Sequence, residues 1–394
     1  MLGSLAGRAA SVALPRRMLV GGGTVSRLGE LVKEAKVTKP LIVTDGFMES
    51  SGVLAKVTKA LEDADIAHGT FTDTIPEPTS EAVERCRAYV EQGDYDAIVA
   101  LGGGSPMDTA KAAGALAVHK GQMRDYKAPF LLDAPALPLF AIPTTAGTGS
   151  EATKFTIVTD SDTHEKMLCI GLAYLPEYAV IDYELTMSMP WELTAATGID
   201  AMCHAMEAYV SAKRNPFSSS MALAALSKIG QNVREVCYNP DNREAREAMM
   251  LASTEAGIAF SNASVTLIHG MSRPIGADFH VPHGLSNAML APKVTEFSIE
   301  GAVAEYAEVA RVMAMAPFGA SDEDAADALI KGLYALNTDL KVKTMSEWGI
   351  KEQDFTSAVQ RMAKAALASG SPGNNPKVPS QEEIEKLYMD IYSS

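Results

Sequence analysis

Short β-branched apolar runs alternate with stretches of helical periodicity over the first half of the chain, the pattern of a parallel sheet whose strands are joined by helices. The runs predict strands at Arg17–Val20, Pro40–Thr44, Ala67–Phe71, Ala97–Leu101, Leu139–Ile142 and Tyr178–Ile181. Between them, Val25–Lys36, Val53–Ala64 and Ser80–Gln92 space their apolar residues as one face of a helix, with Gly, Pro and Asp at the turns. From Pro190 onward the character changes: β-branched runs give way to long segments rich in Ala, Met and Leu at helical spacing. These patterns predict an α/β domain over residues 1–187 and an all-α domain over 188–394. Val265–Ile268 is apolar enough for a strand, but its flanks favour a buried helix; the turn residues of Gly370–Pro379 predict a loop, read as a surface connection with a lid the alternative.

Composition narrows the function classes. A chain of 394 residues suffices for two domains, and 47% hydrophobic with 21% charged residues is ordinary for a globular protein. The formal net charge of −15, with no basic cluster to offset it, argues against nucleic acid and anionic membrane as partners. No apolar run approaches the ~18 residues of a membrane helix. Cys86, Cys169, Cys203 and Cys237 form no CxxC pair, which fits reduced thiols and a cytoplasmic location. The first residues, through Arg17, contain arginines and no acid, faintly like a transit peptide, and are read instead as a frayed tail entering the first strand.

Two strand ends carry phosphate-type chemistry. Ala97–Leu101 runs into Gly102, Gly103, Gly104 and Ser105, followed by Pro106 and a helix. Glycines let the backbone approach a phosphate, and the helix N-terminus offers free amides and a positive dipole end; a plain tight turn is the competing explanation. The next strand ends in Thr144, Thr145, Ala146, Gly147, Thr148 and Ser150, hydroxyls and open amides suited to the other side of a diphosphate and its ribose. Asp45, closing Pro40–Thr44, either accepts from ribose hydroxyls, which favours NAD over NADP, or caps the following helix.

The second half holds a candidate metal site. Asp200 and His204 are spaced i, i+4, so on a helix both leave the same face. His269 lies in a helical apolar run and His283 follows Pro282 at a new segment. Of the seven histidines in the chain, His204, His269, His280 and His283 all fall in this stretch, beside a helical Asp. Three imidazoles and a carboxylate without thiolate suit Fe(II), Zn, Co or Ni with an open coordination position.

With these residues in place, the chain closely resembles the iron-containing (group III) alcohol dehydrogenase family, which includes lactaldehyde reductases and 1,3-propanediol dehydrogenases. The likeness runs through LVGGGTVSRLG, IVTD, GGGSPMDTAKA, IPTTAGTGSE, DAMCHAMEAY and HGMSRPIGADFHVPHGLSNAM, in order along nearly the whole chain. The resemblance implies a dehydroquinate-synthase-like architecture, with NAD on the α/β domain, Fe(II) or alternatively Zn on the helical one, and assembly as a homodimer or larger homo-oligomer. It implies Asp200, His204, His269 and His283 as metal ligands. Gly103, Gly104, Ser105, the run Thr144–Thr148 and Thr153 become cofactor contacts, Asp45 the cofactor-discriminating acid, and Lys166 a contact to the nicotinamide ribose. Phe260 resembles an aromatic lining the substrate pocket. Many relatives carry a second His where this chain has Arg273, which cannot act as a base at neutral pH. The alcohol proton then leaves through His280, ribose hydroxyls or water. Arg273, with Lys154, suggests a substrate bearing a carboxylate, sulfonate or phosphonate, an internal salt bridge being the alternative. Glu77 replaces a usual Asn.

The expected activity is reversible hydride transfer between a small primary alcohol, or its aldehyde, and nicotinamide, with the metal polarising the substrate oxygen. Two rivals share the scaffold: a non-redox enzyme resembling dehydroquinate synthase, and a hydroxyacid–oxoacid transhydrogenase that retains its nicotinamide.

Overall fold

The computed structural model describes residues 9–392 and divides into two compact units, residues 13–188 and residues 189–392, with residues 9–12 grouped with the latter. Residues 1–8 of the stretch read as a transit-peptide-like or frayed N-terminal tail lie outside the described residues.

The first unit carries β1 (Arg17–Val20), α1 (Leu28–Glu34), β2 (Pro40–Val43), α2 (Gly46–Ser50), α3 (Val53–Glu62), β3 (Gly69–Phe71), α4 (Ser80–Gln92), β4 (Ala97–Gly102), α5 (Gly104–His119), β5 (Leu139–Pro143), β6 (Phe155–Thr159), β7 (Lys166–Ile170) and β8 (Tyr178–Ile181). Six strands form one sheet in the order β1-β8-β5-β4-β2-β3, every pairing parallel. All six predicted strands and the three predicted helices are present, with ends moved by a few residues. Val25–Arg27, expected as the first turn of a helix, lies instead in the 3₁₀ turn Thr24–Arg27 ahead of α1.

Alternation along each strand sorts the core. Leu41, Val43, Ile98, Ala100, Leu139 and Ala141 pack on one face with residues of α4 and α5. Ile42, Val99, Leu101, Phe140, Ile142 and Tyr178 pack on the other with residues of α1 and α3. Both faces are covered, which is why the strands read as continuous apolar runs instead of alternating with polar residues.

The sequence pattern did not predict the antiparallel pair β6–β7, in which Phe155 opposes Ile170 and Thr159 opposes Lys166. Its residues alternate half-buried and buried, and an Asp160–Glu165 turn joins the strands; that alternation was the available signal.

The second unit is helical: α6 (Trp191–Val210), α7 (Pro216–Tyr238), α8 (Arg243–Ser261), α9 (Leu267–Phe279), α10 (His283–Ser298), α11 (Val303–Val312), α12 (Asp322–Asp339), α13 (Glu352–Ala368) and α14 (Gln381–Tyr392). Helix starts follow local chemistry: Asn215 caps α7 with Pro216 in its first turn, Asn242 caps α8, and Ser321 caps α12. Val265 and Thr266 precede α9, so only the later part of the ambiguous Val265–Ile268 run is helical. The Gly370–Pro379 segment departs from the surface loop expected of it. Ser371, Asn374 and Asn375 are buried, and Asn374 donates to Ser264 Oγ while Asn375 donates to Ser298 Oγ, so polar residues read as solvent-facing satisfy interior groups instead. Among the described residues, no helix is long and apolar enough to cross a membrane.

Phe140 and Tyr178 stack on neighbouring strands with ring centroids 4.8 Å apart, and both are fully buried. Phe140→Ala should therefore destabilise the first unit by roughly 3–5 kcal/mol, read as a lower urea midpoint with unchanged slope.

Candidate metal centre

Three helices converge to build the centre. Asp200 and His204 sit one turn apart on α6, His269 lies in the first turn of α9, and His283 opens α10. One ligand-type atom from each of the four lies within 4.8 Å of all the others. A single oxygen, Asp200 Oδ1, stands 3.5 Å from His269 Nε2, 3.8 Å from His283 Nε2 and 3.9 Å from His204 Nδ1. Gly284 permits the approach of α10: a Cβ there would meet the Ala196 carbonyl oxygen, one turn before Asp200 on α6, at 2.5 Å.

Surrounding groups orient the ligands. His269 Nδ1 hydrogen-bonds the buried carboxylate of Glu207, so its Nε2 is presented to the centre. Glu207 also accepts from the Thr266 amide at 3.0 Å and the Thr266 hydroxyl at 2.9 Å. Burial works against ionisation of Glu207, yet the adjacent His269 imidazole and these hydrogen bonds hold its pKa below the ordinary value. Burial likewise opposes protonation of His269, but the Glu207 and Asp200 carboxylates prevail and raise it to about 9. Asp200 is lowered, burial being outweighed by the imidazoles around it. Ser272 Oγ lies 3.2 Å from His283 Nδ1, and Asn287 Nδ2 donates to Asp200 Oδ1 at 2.7 Å.

The donor set fits a divalent cation. Four convergent N and O donors, three of them buried, surround one point, and a buried carboxylate among imidazoles is best compensated by a cation shared between them. His283 keeps 43% of its side chain exposed, so the cluster is open on that side. Phe260 stacks on His204, centroids 4.3 Å apart, which places this aromatic directly behind a ligand. Arg273 follows His269 by one turn of α9; its Nη1 donates to Ser371 Oγ at 3.1 Å, and among the described residues no carboxylate forms an ion pair with it. Burial lowers its pKa, with Glu207 opposing. His280 ends α9 in a left-handed conformation, φ 53°, exposed to solvent.

Sequence reasoning missed Glu207 and Asn287. Glu207 continues the Asp200–His204 face of α6, and Asn287 is one turn beyond His283 on α10, so helical spacing held the signal for both.

The phosphate-type residues gather in the first unit. Gly102 pairs with Pro143 across β4 and β5, so the two turns leave the same edge of the sheet side by side. They touch: Thr144 N donates to Gly102 O at 3.1 Å, while Cβ atoms on Gly103 and Gly104 would each lie 3.3 Å from the Cγ2 of Thr145 and Thr148. Ser105 is in the first turn of α5. Asp45 Oδ1 caps α2, accepting from Phe47 N at 2.9 Å and Met48 N at 3.0 Å. Lys166 opens β7 and pairs with Glu77 at 2.7 Å; Thr153 is buried and Lys154 half-buried just before β6.

Comparison with known proteins agrees with this chemistry. The profile described as iron-containing alcohol dehydrogenase matches residues 15–183, and that of the C-terminal region of the Fe-containing alcohol dehydrogenase family matches residues 194–392. The chain belongs to the iron-containing alcohol dehydrogenase family, and its fold is dehydroquinate-synthase-like. It is 34% identical over 375 residues to an NAD-dependent methanol dehydrogenase of Bacillus methanolicus, covering 95% of this chain and 97% of the relative. Among solved structures, a 1,3-propanediol oxidoreductase superposes with a TM-score of 0.93 at 32% identity, covering 98% of this chain and 100% of the other. A sulfoacetaldehyde reductase from Bifidobacterium kashiwanohense in complex with NAD+ gives a TM-score of 0.86 at 26% identity, covering 98% and 100%.

Glu207→Gln removes the charge that orients and enriches His269. Metal retention against a chelator should fall about 10- to 100-fold, measured by metal analysis after graded dialysis, with the secondary structure unchanged by circular dichroism.

Proposed function

We propose that this protein is a metal-dependent, NAD-linked alcohol dehydrogenase and aldehyde reductase: a primary alcohol and NAD+ give the aldehyde, NADH and a proton, reversibly. The observation that carries the reading is the Asp200–His204–His269–His283 cluster, closed by buried groups on one side and open at His283 on the other. Those four residues hold Fe(II), with Zn the alternative; the ion supplies Lewis-acid polarisation of the substrate oxygen. Gly103, Gly104, Ser105 and the run Thr144–Thr148 receive the diphosphate and ribose, with the buried Thr153 backing that run through its bonds to Ser150, and Lys166 receives the nicotinamide ribose. The Asp45 carboxylate, with one oxygen engaged in capping, keeps the other for ribose hydroxyls and repels a 2′-phosphate, which favours NAD. Relatives of similar identity are named for both cofactors, an NAD-dependent methanol dehydrogenase at 34% and an NADPH-dependent butanol dehydrogenase of Clostridium saccharobutylicum at 35%, so Asp45 carries the choice. The alcohol proton leaves through His280, the ribose hydroxyls or water.

Arg273 sets the substrate class within this reading. A half-buried guanidinium one turn from a metal ligand, with a single neutral hydroxyl as partner, leaves most of its fork for a carboxylate or sulfonate on the substrate. Phe260, behind His204, lines the pocket wall. We also place the protein in the cytoplasm, a reducing compartment that suits its four unpaired, buried cysteines. Assembly as a homodimer or larger homo-oligomer follows the family.

Protein loaded anaerobically with Fe(II) and mixed with NAD+ and a panel of short alcohols, diols and hydroxy acids should give sustained 340 nm absorbance. A single stoichiometric burst, or activity needing an oxo acid and no added NAD, would favour the non-redox or transhydrogenase rival. His269→Ala with His283→Ala should lose metal and turnover while NADH fluorescence still titrates; turnover in that metal-free protein would refute the scheme.

For Arg273→Leu, the KM of carboxylated or sulfonated alcohols should rise about 10- to 100-fold, the loss of a charge-assisted pair, with neutral alcohols little changed. Equal losses across both classes would exclude the anion-binding role.

A further inference from the structure

Lys111 is a cation almost wholly removed from water in the first unit, 1% exposed, on α5 beyond the glycine turn. Its Nζ donates to Thr153 O and Thr153 Oγ1, both at 3.0 Å, and to Phe155 O at 2.9 Å. A buried ammonium is costly, and an apolar side chain of similar length fills such a site without that cost. Burial accordingly lowers the Lys111 pKa, against the pull of the Asp108 and Glu151 carboxylates that face it. A second tie runs parallel to it: Thr156 Oγ1 donates to Asp108 O at 3.0 Å.

The location gives this arrangement its consequence. One phosphate-type turn, Gly102–Ser105, continues directly into α5, and the other, Thr144–Ser150, leads through a short 3₁₀ turn into Thr153 and Phe155. At their tips the two turns lie side by side and share the hydrogen bond from Thr144 N to Gly102 O. Lys111 joins their continuations from behind, where three hydrogen bonds from one cation resist any sliding of the second turn along the helix.

We propose that Lys111 is a positioning residue for the dinucleotide diphosphate, fixing the 144–150 turn against the start of α5 at the separation the two linked phosphates span. This rests on reading the two turns as the cofactor site. Lys111 itself touches no ligand; it acts through Thr153 and the turn ahead of it.

The test compares ligands with one and two phosphates on the full-length, metal-loaded protein. In Lys111→Met, the Kd of NADH by fluorescence and of ADP-ribose by calorimetry should both rise about tenfold or more, since hydrogen bonds from a charged donor are lost. AMP, whose single phosphate does not need both turns in register, should keep its affinity, and metal content should be unchanged. Lys111→Gln, which keeps a donor for one carbonyl, should give an intermediate loss of about threefold, and decides the matter if the Met variant does not fold. Wild-type affinity for ADP-ribose in either variant that folds, or equal losses for AMP and ADP-ribose, overturns the proposal. Failure of the unmodified protein to bind NADH or ADP-ribose overturns the cofactor reading, and the proposal falls with it.

Discussion

Two carboxylates buried on one face of α6 dictate the arrangement of the helical unit. Asp200 and Glu207 are each almost fully excluded from solvent, and an ionised carboxylate survives there only with compensating charge and hydrogen bonds. The compensation arrives from other helices: the Thr266 amide and hydroxyl and His269 from the start of α9, His283 and Asn287 from α10. Moving any of these helices by a few ångströms would strand a charge. The same constraint that holds α6, α9 and α10 together therefore assembles the metal-binding donors, and the stability of the core and the geometry of the centre are a single problem.

A similar economy governs the sheet unit. Its strands are buried on both faces, so helices must cover them, and the turns between strand and helix leave backbone amides for a ligand. The glycines at positions 103 and 104 keep those turns thin enough to lie against Thr145 and Thr148. Lys111 is a buried cation within that interior, and it sits where two such turns need a common reference.

Much of this is legible in the amino-acid sequence. The six strands of the parallel sheet were marked by β-branched runs, because strands covered on both faces tolerate little else. Asp200 and His204 were legible from the i, i+4 rule, and the glycine turn from its place between an apolar strand and a helix. The β6–β7 pair was less legible: its half-exposed alternation lies close to background, and its pairing follows from the chain around it. The buried Ser371–Asn375 stretch was misread for a related reason. Asn and Ser serve solvent-facing turns and interior hydrogen bonds equally well, and only the neighbours decide which.

By itself, then, the sequence determined the local structure and the kinds of donor: periodicity and turn chemistry act over a few residues, and ligand types are written directly in the side chains. What only the tertiary structure decided was partnership. That His269 turns Nε2 inward because Glu207 holds Nδ1, that Asn287 meets Asp200, that Arg273 meets the Ser371 hydroxyl, and that Lys111 reaches Thr153 and Phe155 are all contacts between residues far apart in the chain. Such contacts depend on distances set by packing to within about an ångström, and no spacing rule along a single segment carries that information.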